Sequence, residues 1–313
     1  MRVVVALGGN AILRRGEPMS VANQRASIAS ACGPLARVAK QHELVVSHGN
    51  GPQVGLLALQ AAAYDQVSEY PFDVLGAQTE GMIGYLIEQE LSNKLKNRRV
   101  VATLVTRTEV NPADPAFAYP TKFVGPCYSD SDAARAATEH GWTVRRDGTS
   151  MRRVVASPDP IRIVELDPIT WLLEKGAVVI CAGGGGVPTV RTPGRGAVDM
   201  LSGVEAVIDK DLASAVLARD LSADVLVIAT DVEGVFLDWG KDDERMITRA
   251  HPDEINPGLF PAGSMGPKVR AATQFARETS GTAVIGSLRD IDEMLAGRAG
   301  TTITTVLEDA SPG

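Results

Sequence analysis

Residues 3–13 read VVVALGGNAIL, an apolar and largely β-branched run that ends in two glycines and an asparagine. The run predicts a buried β-strand over Arg2–Leu7, and Gly8-Gly9-Asn10 predicts a tight ligand-binding loop at the end of that strand. Glycines let backbone N–H groups approach an anion such as a phosphate closely. This loop contains no lysine, so cations that accompany a bound phosphate must come from other parts of the chain.

Strand-length apolar runs alternate with segments of helical period along the rest of the chain. The predicted strands are Glu43–Ser47, Arg99–Thr106, Ala177–Cys181, Asp224–Ala229 and Ala283–Ile285. The predicted helices are Val21–Lys40, Pro52–Tyr64, Val74–Lys96, Lys210–Asp220 and Met265–Glu278. Near-continuous apolar strands separated by helices are typical of a parallel sheet covered on both faces, so the sequence predicts an α/β sandwich.

The composition limits the possible classes of protein. The 313 residues are 44% hydrophobic and 22% charged, with a formal net charge of −7, which disfavours a general nucleic-acid binder. Cys32, Cys127 and Cys181 show no metal-ligand spacing, so we expect reduced thiols. No apolar stretch approaches the roughly 20 residues of a membrane-spanning helix, and no signal peptide is evident. We therefore expect a cytoplasmic protein without membrane or nucleic-acid partners.

One segment interrupts the strand and helix alternation. Residues 111–160 contain many of the prolines and two basic pairs, Arg145-Arg146 and Arg152-Arg153. Two interpretations are open, an irregular surface insertion or a small subdomain over the active site. Because long structureless loops are uncommon in compact domains, the sequence favours the subdomain.

Four glycine-rich segments follow apolar runs: Gly8-Gly9-Asn10, Gly49-Asn50-Gly51, Gly183–Gly186 and Gly263–Gly266. Any one of them could be a simple turn, but four at predicted strand ends favour phosphate or nucleotide binding. The chain lacks the P-loop pattern, the dinucleotide fingerprint and the nucleophile elbow of serine hydrolases. His48, within the second loop, is either a general base or a scaffold residue that bonds to the backbone.

Phosphoryl transfer needs cations that neutralise the moving charge, and three lysines are candidates. Lys210 and Lys268 each lie where a helix is predicted to begin, a position at which a cation is mildly unfavourable. Lys122 lies in the insertion. Each of the three is either an exposed surface lysine or a phosphate-binding group.

Seven strings together resemble the amino acid kinase family, and within it the carbamate kinases. They are VVVALGGNAIL (3–13), VVSHGNGPQVG (45–55), NPADPAF (111–117), PTKFVGP (120–126), GGGGVP (183–188), GVEAVIDKDLAS (203–214) and AGSMGPK (262–268). Other members of the family share the glycine loops and some of the lysines, whereas the second and fourth strings are typical of the carbamate kinases.

The resemblance implies a three-layer α/β/α sandwich with a mainly parallel central sheet and a small protruding subdomain at 111–160. A single domain would comprise an N-lobe over about 1–205, a C-lobe over about 206–307 and a flexible tail at 308–313. The resemblance also implies the reversible reaction ATP + carbamate ⇌ ADP + carbamoyl phosphate in a homodimer. Mg²⁺ would be bound mainly through the nucleotide phosphates, without a dedicated protein metal site.

The matching letters also imply roles for individual residues. Substrate and phosphate binding would fall to Gly8, Gly9, Asn10, Gly49, Asn50 and Gly51. The catalytic set would be Lys210 and Lys268, which neutralise the phosphates, Asp211, which holds Lys210, and Lys122, which reaches the carbamoyl phosphate from the subdomain. Nucleotide binding would fall to Gly183, Gly184, Asp231, Val232, Met265 and Gly266.

Two departures from the family pattern stand out, and neither touches the matched catalytic letters. Asn111 replaces an aspartate that the family often has, and residues 191–203 form a somewhat long loop. Two rival functions stay open on the sequence alone. One is a kinase of the same fold that acts on another small carboxylate or on a nucleotide, and the other is a catalytically silent nucleotide-binding sensor.

Overall fold

The computed structural model describes residues 1–14, 16–64, 69–194, 199–261 and 263–306. The tail predicted at 308–313 lies outside these residues. In chain order the strands are β1 (Arg2–Leu7), β2 (Glu43–His48), β3 (Val101–Thr103), β4 (Arg107–Val110), β5 (Lys122–Tyr128), β6 (Val144–Asp147), β7 (Ser150–Val155), β8 (Pro160–Ile163), β9 (Val178–Ile180), β10 (Val187–Pro193), β11 (Asp199–Gly203), β12 (Val225–Thr230), β13 (Val235–Leu237), β14 (Arg245–Ile247), β15 (Arg249–Ala250), β16 (Thr282–Ser287) and β17 (Thr301–Ile303).

The α-helices are α1 (Gly9–Ile12), α2 (Val21–Gln41), α3 (Gly51–Ala62), α4 (Phe72–Lys94), α5 (Asp130–His140), α6 (Leu166–Glu174), α7 (Lys210–Asp220), α8 (Met265–Glu278) and α9 (Ile291–Leu295). The five predicted helices lie within about two residues of the bounds of α2, α3, α4, α7 and α8, and the structure adds four further helices that the sequence did not predict. The Ser20 side chain caps α2 by accepting from the backbone N–H of Asn23 at 3.2 Å, which explains why this helix starts at Val21.

The central sheet has eight strands in the order β15-β17-β16-β12-β1-β2-β9-β3. Every neighbouring pair in it is parallel except β16 and β17, which are antiparallel. Along β1, Val3 and Val5 pack into one apolar cluster with α2 and α4, whereas Val4 packs into a second cluster with α7 and α8. Both faces of the sheet are therefore covered, and the predicted three-layer α/β/α sandwich is confirmed.

The predicted strand Arg99–Thr106 is longer than the structure allows. β3 covers Val101–Thr103 only, and the chain then leaves the central sheet to enter β4 of a second sheet, ordered β11-β10-β4-β8. Thr106 lies at this crossing and is fully buried, and its backbone N–H and hydroxyl both donate to the carboxylate of Glu80 on α4. An apolar pattern alone does not show that a strand changes sheet.

The segment 111–160 contains a separate small layer. β5, β7 and β6 form a three-stranded antiparallel sheet in the order β5-β7-β6, against which α5 packs. Of the two interpretations of this segment, the structure therefore favours the subdomain. The position of the lobe boundaries near 205 stays a prediction.

Candidate active site

The first two glycine loops meet the loop after β12 at one edge of the central sheet. β1 pairs in parallel with both β2 and β12, with Leu7 opposite His48 and Ala6 opposite Ile228. The chain segments that follow these three strands therefore leave the sheet side by side, as expected for a ligand site beyond the carboxyl ends of parallel strands. They carry Gly8–Asn10, Gly49–Gly51 and Asp231.

Close packing requires a glycine at position 8, and Gly49 lies in ordinary van der Waals contact with its neighbours. A Cβ atom at Gly8 would lie 2.9 Å from the carbonyl oxygen of Ala229, closer than real Cβ contacts. A Cβ atom at Gly49 would lie 3.6 Å from Cδ of Lys210 and 3.8 Å from the backbone N of Gly9. The first two loops therefore lie against each other and against the Lys210 side chain, as the predicted phosphate site requires.

Asn10 connects the loop after β1 to the loop after β12. Its side-chain Nδ2 donates to Oδ2 of Asp231 at 2.7 Å. Asp231 and Lys268 line the same open cleft of about 580 Å³ as Gly8, Gly9 and Asn10. The cleft continues past α2 to Ser287–Arg289, so it offers room for a ligand larger than a phosphate group.

Two lysines from different helices donate to one carboxylate. Lys268 Nζ donates to Oδ2 of Asp211 at 2.9 Å, and Lys210 Nζ donates to Oδ1 of the same carboxylate. The three side chains retain exposed fractions of 14%, 13% and 6% for Lys268, Lys210 and Asp211. Both lysines are therefore largely buried, and the exposed-lysine interpretation is wrong for them.

Burial and mutual attraction compete in this cluster. Burial alone would raise the pKa of Asp211, but the two ammonium groups outweigh it and hold that pKa well below its ordinary value. Burial alone would lower the pKa of Lys268, yet the Asp211 charge raises it above its usual value. At Lys210 burial prevails, helped by repulsion from Lys268, and its pKa is lowered. Two ammonium groups share one carboxylate, which leaves positive charge for an anionic ligand.

Asp209 brings a third lysine to the start of α7. Its Oδ1 accepts from the backbone N–H of Asp211 at 2.9 Å and so caps the helix. Its Oδ2 accepts from Lys122 Nζ at 2.6 Å, which joins the small β5-β7-β6 sheet to α7. Burial opposes ionisation of Asp209, but the Lys122 charge prevails and its pKa is lowered. Residues 209–211 thus gather lysines from β5, α7 and α8.

His48 is buried, with an exposed fraction of 1%. Its Nδ1 lies 3.0 Å from the carbonyl oxygen of Gly49, and burial lowers its pKa to about 4, with a further lowering from Lys210. A neutral ring that bonds to the adjacent backbone holds the loop after β2 in shape. Of the two open roles, this arrangement favours the scaffold residue.

Gly183 and Gly184 lie behind the loop after β2. A Cβ atom at Gly184 would lie 2.1 Å from Nδ2 of Asn50, and one at Gly183 would lie 2.4 Å from the His48 ring. Both glycines are buried, and neither lines the cleft that contains Asp231. The predicted contact of these two glycines with a nucleotide stays a prediction, and their observed contacts are with Asn50 and His48.

The other residues predicted to bind nucleotide lie at the entrance to β13 and at the start of α8. Val232 is half-buried in the turn after β12. Met265 packs on the edge of the apolar cluster that includes Phe260, and Gly266 donates its backbone N–H to the carbonyl oxygen of Pro261 at 3.0 Å. The structure brings Lys268 of the same helix to the cleft that Gly8 and Gly9 line.

The sequence analysis missed Glu80 of α4, which is only 1% exposed. Its carboxylate accepts from the backbone N–H of Gly183 at 2.8 Å and from the hydroxyl of Thr106 at 2.6 Å. One signal was available, because Glu80 shares its helix face with Ile83 and Ile87, both fully buried. A carboxylate on the apolar face of a helix needs buried hydrogen-bond donors, which indicates a structural or functional site.

Among the residues that the structure describes, no cluster of three or more His, Cys, Asp or Glu side chains could hold a metal ion. Within the same residues, no helix is long and apolar enough to cross a membrane.

The model of the amino acid kinase family matches residues 1–287. The chain belongs to the amino acid kinase family. A carbamate kinase of Haemophilus influenzae is 55% identical to this chain over 311 residues, which cover 99% of each chain. A carbamate kinase of Rhizobium meliloti is 55% identical over 309 residues, which cover 99% of this chain and 95% of that one. The crystal structure of a Giardia lamblia carbamate kinase bound to AMP-PNP superposes with a TM-score of 0.87 at 41% identity, over 97% of this chain and 98% of that chain. Membership of this kinase family identifies the protein as a phosphotransferase.

Proposed function

We propose that the protein is a carbamate kinase, which transfers a phosphoryl group reversibly between ATP and carbamate to give ADP and carbamoyl phosphate. The single observation that carries this proposal is the pair of buried lysines on Asp211 beside two glycine loops. The identity of 55% to named carbamate kinases over almost the whole chain supports the choice of carbamate among the substrates of this family. The chain would make ATP from carbamoyl phosphate during the breakdown of nitrogen compounds, including arginine.

The roles that we propose follow the positions of the groups. Gly8, Gly9 and Asn10 would surround the transferring phosphoryl group, with Lys210 and Lys268 neutralising its oxygens. Gly49, Asn50 and Gly51 would receive the carbamate, and Lys122 would reach the carbamoyl phosphate from the small β5-β7-β6 sheet. Asp211 would hold both catalytic lysines in place and maintain the charge of Lys268. Asp231, Val232, Met265 and Gly266 would contact the nucleotide.

The proposed reaction does not require a general base. Carbamate is already an anion and attacks without losing a proton, so the site needs only to align two anions and offset their repulsion. His48 supports this proposal because its low pKa and its bond to Gly49 suit it to hold the loop. The fixed lysines and backbone N–H groups would supply the charge stabilisation in the transition state.

Mg²⁺ would enter with the nucleotide. Mg²⁺ commonly binds through substrate phosphates, water and one or two carboxylates, and it offsets the phosphate charge. The donor set here agrees with that mode, because the described residues include no metal-holding cluster and the cleft contains the single exposed carboxylate of Asp231. Removal of Mg²⁺ with a chelator should abolish turnover, and excess Mg²⁺ should restore it.

We further propose that the protein is a cytoplasmic homodimer. Exposed apolar side chains on α3 and α4, among them Leu56, Met82 and Tyr85, offer an apolar surface for a second copy. Light scattering coupled to size-exclusion chromatography would measure the mass directly. A mass of one chain at micromolar concentration would contradict the dimer.

The deciding experiment is coupled detection of ATP from carbamoyl phosphate and Mg-ADP. A substrate panel of carbamate, acetylglutamate, glutamate and aspartate in the forward direction tests the alternative of a kinase for another carboxylate. Binding of ADP in calorimetry without any ATP formation would favour a silent nucleotide sensor. Robust ATP formation from carbamoyl phosphate, with carbamate as the preferred acceptor, is the expected outcome.

A further inference from the structure

Two consecutive residues of α4, Thr79 and Glu80, contact the loops on the carbamate side of the site. Thr79 Oγ1 accepts from Nδ2 of Asn50 at 2.8 Å. Glu80 Oε1 accepts from the backbone N–H of Gly183 at 2.8 Å. One turn on the buried face of α4 therefore holds both the Asn50 side chain and the glycine turn on which Asn50 rests.

The bonds of Glu80 match an ionised carboxylate. Oε2 accepts from the backbone N–H of Thr106 at 3.0 Å, and Oε1 accepts from the Thr106 hydroxyl at 2.6 Å as well as from Gly183. Thr106 Oγ1 in turn accepts from the backbone N–H of Ala182 at 2.7 Å. The backbone N–H groups of Thr106 and Gly183 and the Thr106 hydroxyl all donate to the carboxylate, so each of its three bonds forms without a proton on Glu80.

The turn that Glu80 holds has an unfavourable backbone. Its residues have φ values of 51° at Ala182, 65° at Gly184, 97° at Gly185 and 82° at Gly186. The left-handed conformation is costly for Ala182 in particular, because its Cβ crowds the backbone there. Such a turn persists only where surrounding bonds fix it, and two of the bonds that fix it involve Glu80 and Thr106. On its other side the turn packs directly on Asn50 and His48.

We propose that Glu80 is a positioning residue whose ionised carboxylate holds the Ala182–Gly186 turn, and through it Asn50, in the geometry that binds the carbamoyl group. The inference rests on the proposed function, because it assigns the Gly49–Gly51 loop to that substrate. Glu80 touches no substrate itself. It acts through the turn and through Asn50.

The ionised state of Glu80 responds to pH near neutrality. Burial, with a smaller contribution from the charge of Glu165, raises the pKa of Glu80 to about 8. The three hydrogen-bond donors partly offset this increase. Of the neighbouring titratable groups, His48 has its pKa lowered to about 4 and Cys181 has its pKa raised by burial, so both are neutral between pH 7 and 9. Raising the pH through this window therefore ionises Glu80 and strengthens the three bonds that hold the turn.

The test compares KM values for the two substrates of the ATP-forming reaction in the wild-type enzyme and in Glu80→Gln. Glutamine keeps the size of the side chain but replaces one carboxylate oxygen with an NH₂ group. That group is a hydrogen-bond donor and would face one of the donors that now bond to Glu80. At pH 9, where the wild-type carboxylate is ionised, we expect KM for carbamoyl phosphate to be about tenfold higher in the variant while KM for ADP stays within about twofold, since a small displacement of a binding group selectively weakens the contact it makes. We also expect the wild-type KM for carbamoyl phosphate to fall from pH 7 to pH 9, and that dependence to vanish in the variant.

Matched variants separate positioning from general damage. Glu109→Gln makes the same change in a carboxylate that bonds to Arg162 and Arg191 on the second sheet, and it should leave both KM values unchanged. If Glu80→Gln does not fold, Thr106→Val carries the test, because it removes the hydroxyl between Glu80 and Ala182. Thr106→Ser keeps that hydroxyl and should restore the low KM.

The possible results distinguish the two proposals. A wild-type enzyme that forms no ATP from carbamoyl phosphate and ADP overturns the proposed function. An active wild-type enzyme whose KM for carbamoyl phosphate and pH profile are the same in Glu80→Gln overturns the role of Glu80 alone. Equal increases in both KM values overturn it too, because they indicate a general structural effect.

Discussion

Lys268 donates a hydrogen bond of 2.9 Å to Asp211, a residue that precedes it by 57 positions in the chain. The same carboxylate accepts from Lys210, so the first turns of two helices share one buried anion. This arrangement holds two cations side by side at the carboxyl edge of the sheet. Without Asp211, burial and mutual repulsion would oppose the charged state of both lysines.

Removal of either lysine should disable phosphoryl transfer. We expect Lys210→Ala and Lys268→Ala each to lower turnover by two or more orders of magnitude, the scale of a lost charge-stabilising group at roughly 3 kcal/mol. The measurement is the initial rate of ATP formation at saturating carbamoyl phosphate and Mg-ADP. Lys175→Ala, at an exposed position after α6, is the control and should retain full activity. A near-normal rate in either active-site variant would contradict the assigned roles.

Replacement of Asp211 by asparagine should shift the alkaline limb of the pH–rate profile. The Asp211 charge raises the pKa of both Lys210 and Lys268, so Asp211→Asn lowers both values. A lysine with a lower pKa loses its charge at lower pH, and we expect activity to decline earlier as the pH rises from 7 to 10. Asp220→Asn, at the opposite end of α7, is the matched control. Superimposable profiles for Asp211→Asn and the wild type would refute this account.

Loss of Lys122 should affect one substrate more than the other. Lys122 reaches α7 from the small β5-β7-β6 sheet and pairs with Asp209 at 2.6 Å. We expect Lys122→Ala to raise KM for carbamoyl phosphate about tenfold or more with little change in KM for ADP, because we propose that this lysine reaches the carbamoyl phosphate. Arg146→Ala in the same small sheet, where Arg146 forms an exposed pair with Asp130, should leave both KM values unaltered. Equal effects of Lys122→Ala on both substrates would argue against the assignment.

Glu80 should lower the stability of the wild-type protein as the pH rises. Its pKa in the folded state is about 8, above the ordinary value of 4.5, so between these values the unfolded chain releases the proton first. Raising the pH through this window favours the unfolded state, by up to about 1.4 kcal/mol per pH unit. Glutamine does not titrate, so Glu80→Gln lacks this pH dependence. From pH 6 to pH 8 the unfolding free energy of the wild type should therefore fall relative to that of the variant. Urea denaturation of both proteins at the two pH values measures it, and parallel pH dependences would exclude a raised pKa at Glu80.

Local pattern predicted much of the fold. The apolar runs identified β1, β2, β9, β12 and β16 within a residue or two, and the helical periods identified α7 and α8 with the observed bounds. These strands are buried on both faces and these helices along at least one stripe, and an apolar pattern in a sequence indicates such burial. The predicted strand after Arg99 was too long because pairing partners, and not the run itself, decide where β3 ends.

The sequence by itself determined which parts of the chain supply the site, because glycine loops after apolar strands and lysines at helix starts are local features. The tertiary structure decided which of them meet. Only the parallel register brings Gly9, Gly49 and Lys210 together, and only the packing of α8 on α7 brings Lys268 to Asp211. It also placed Gly183 and Gly184 behind Asn50 and buried Glu80 among three donors. The physical reason is that charge, burial and hydrogen bonding depend on distances between residues far apart in the chain, which no local pattern contains.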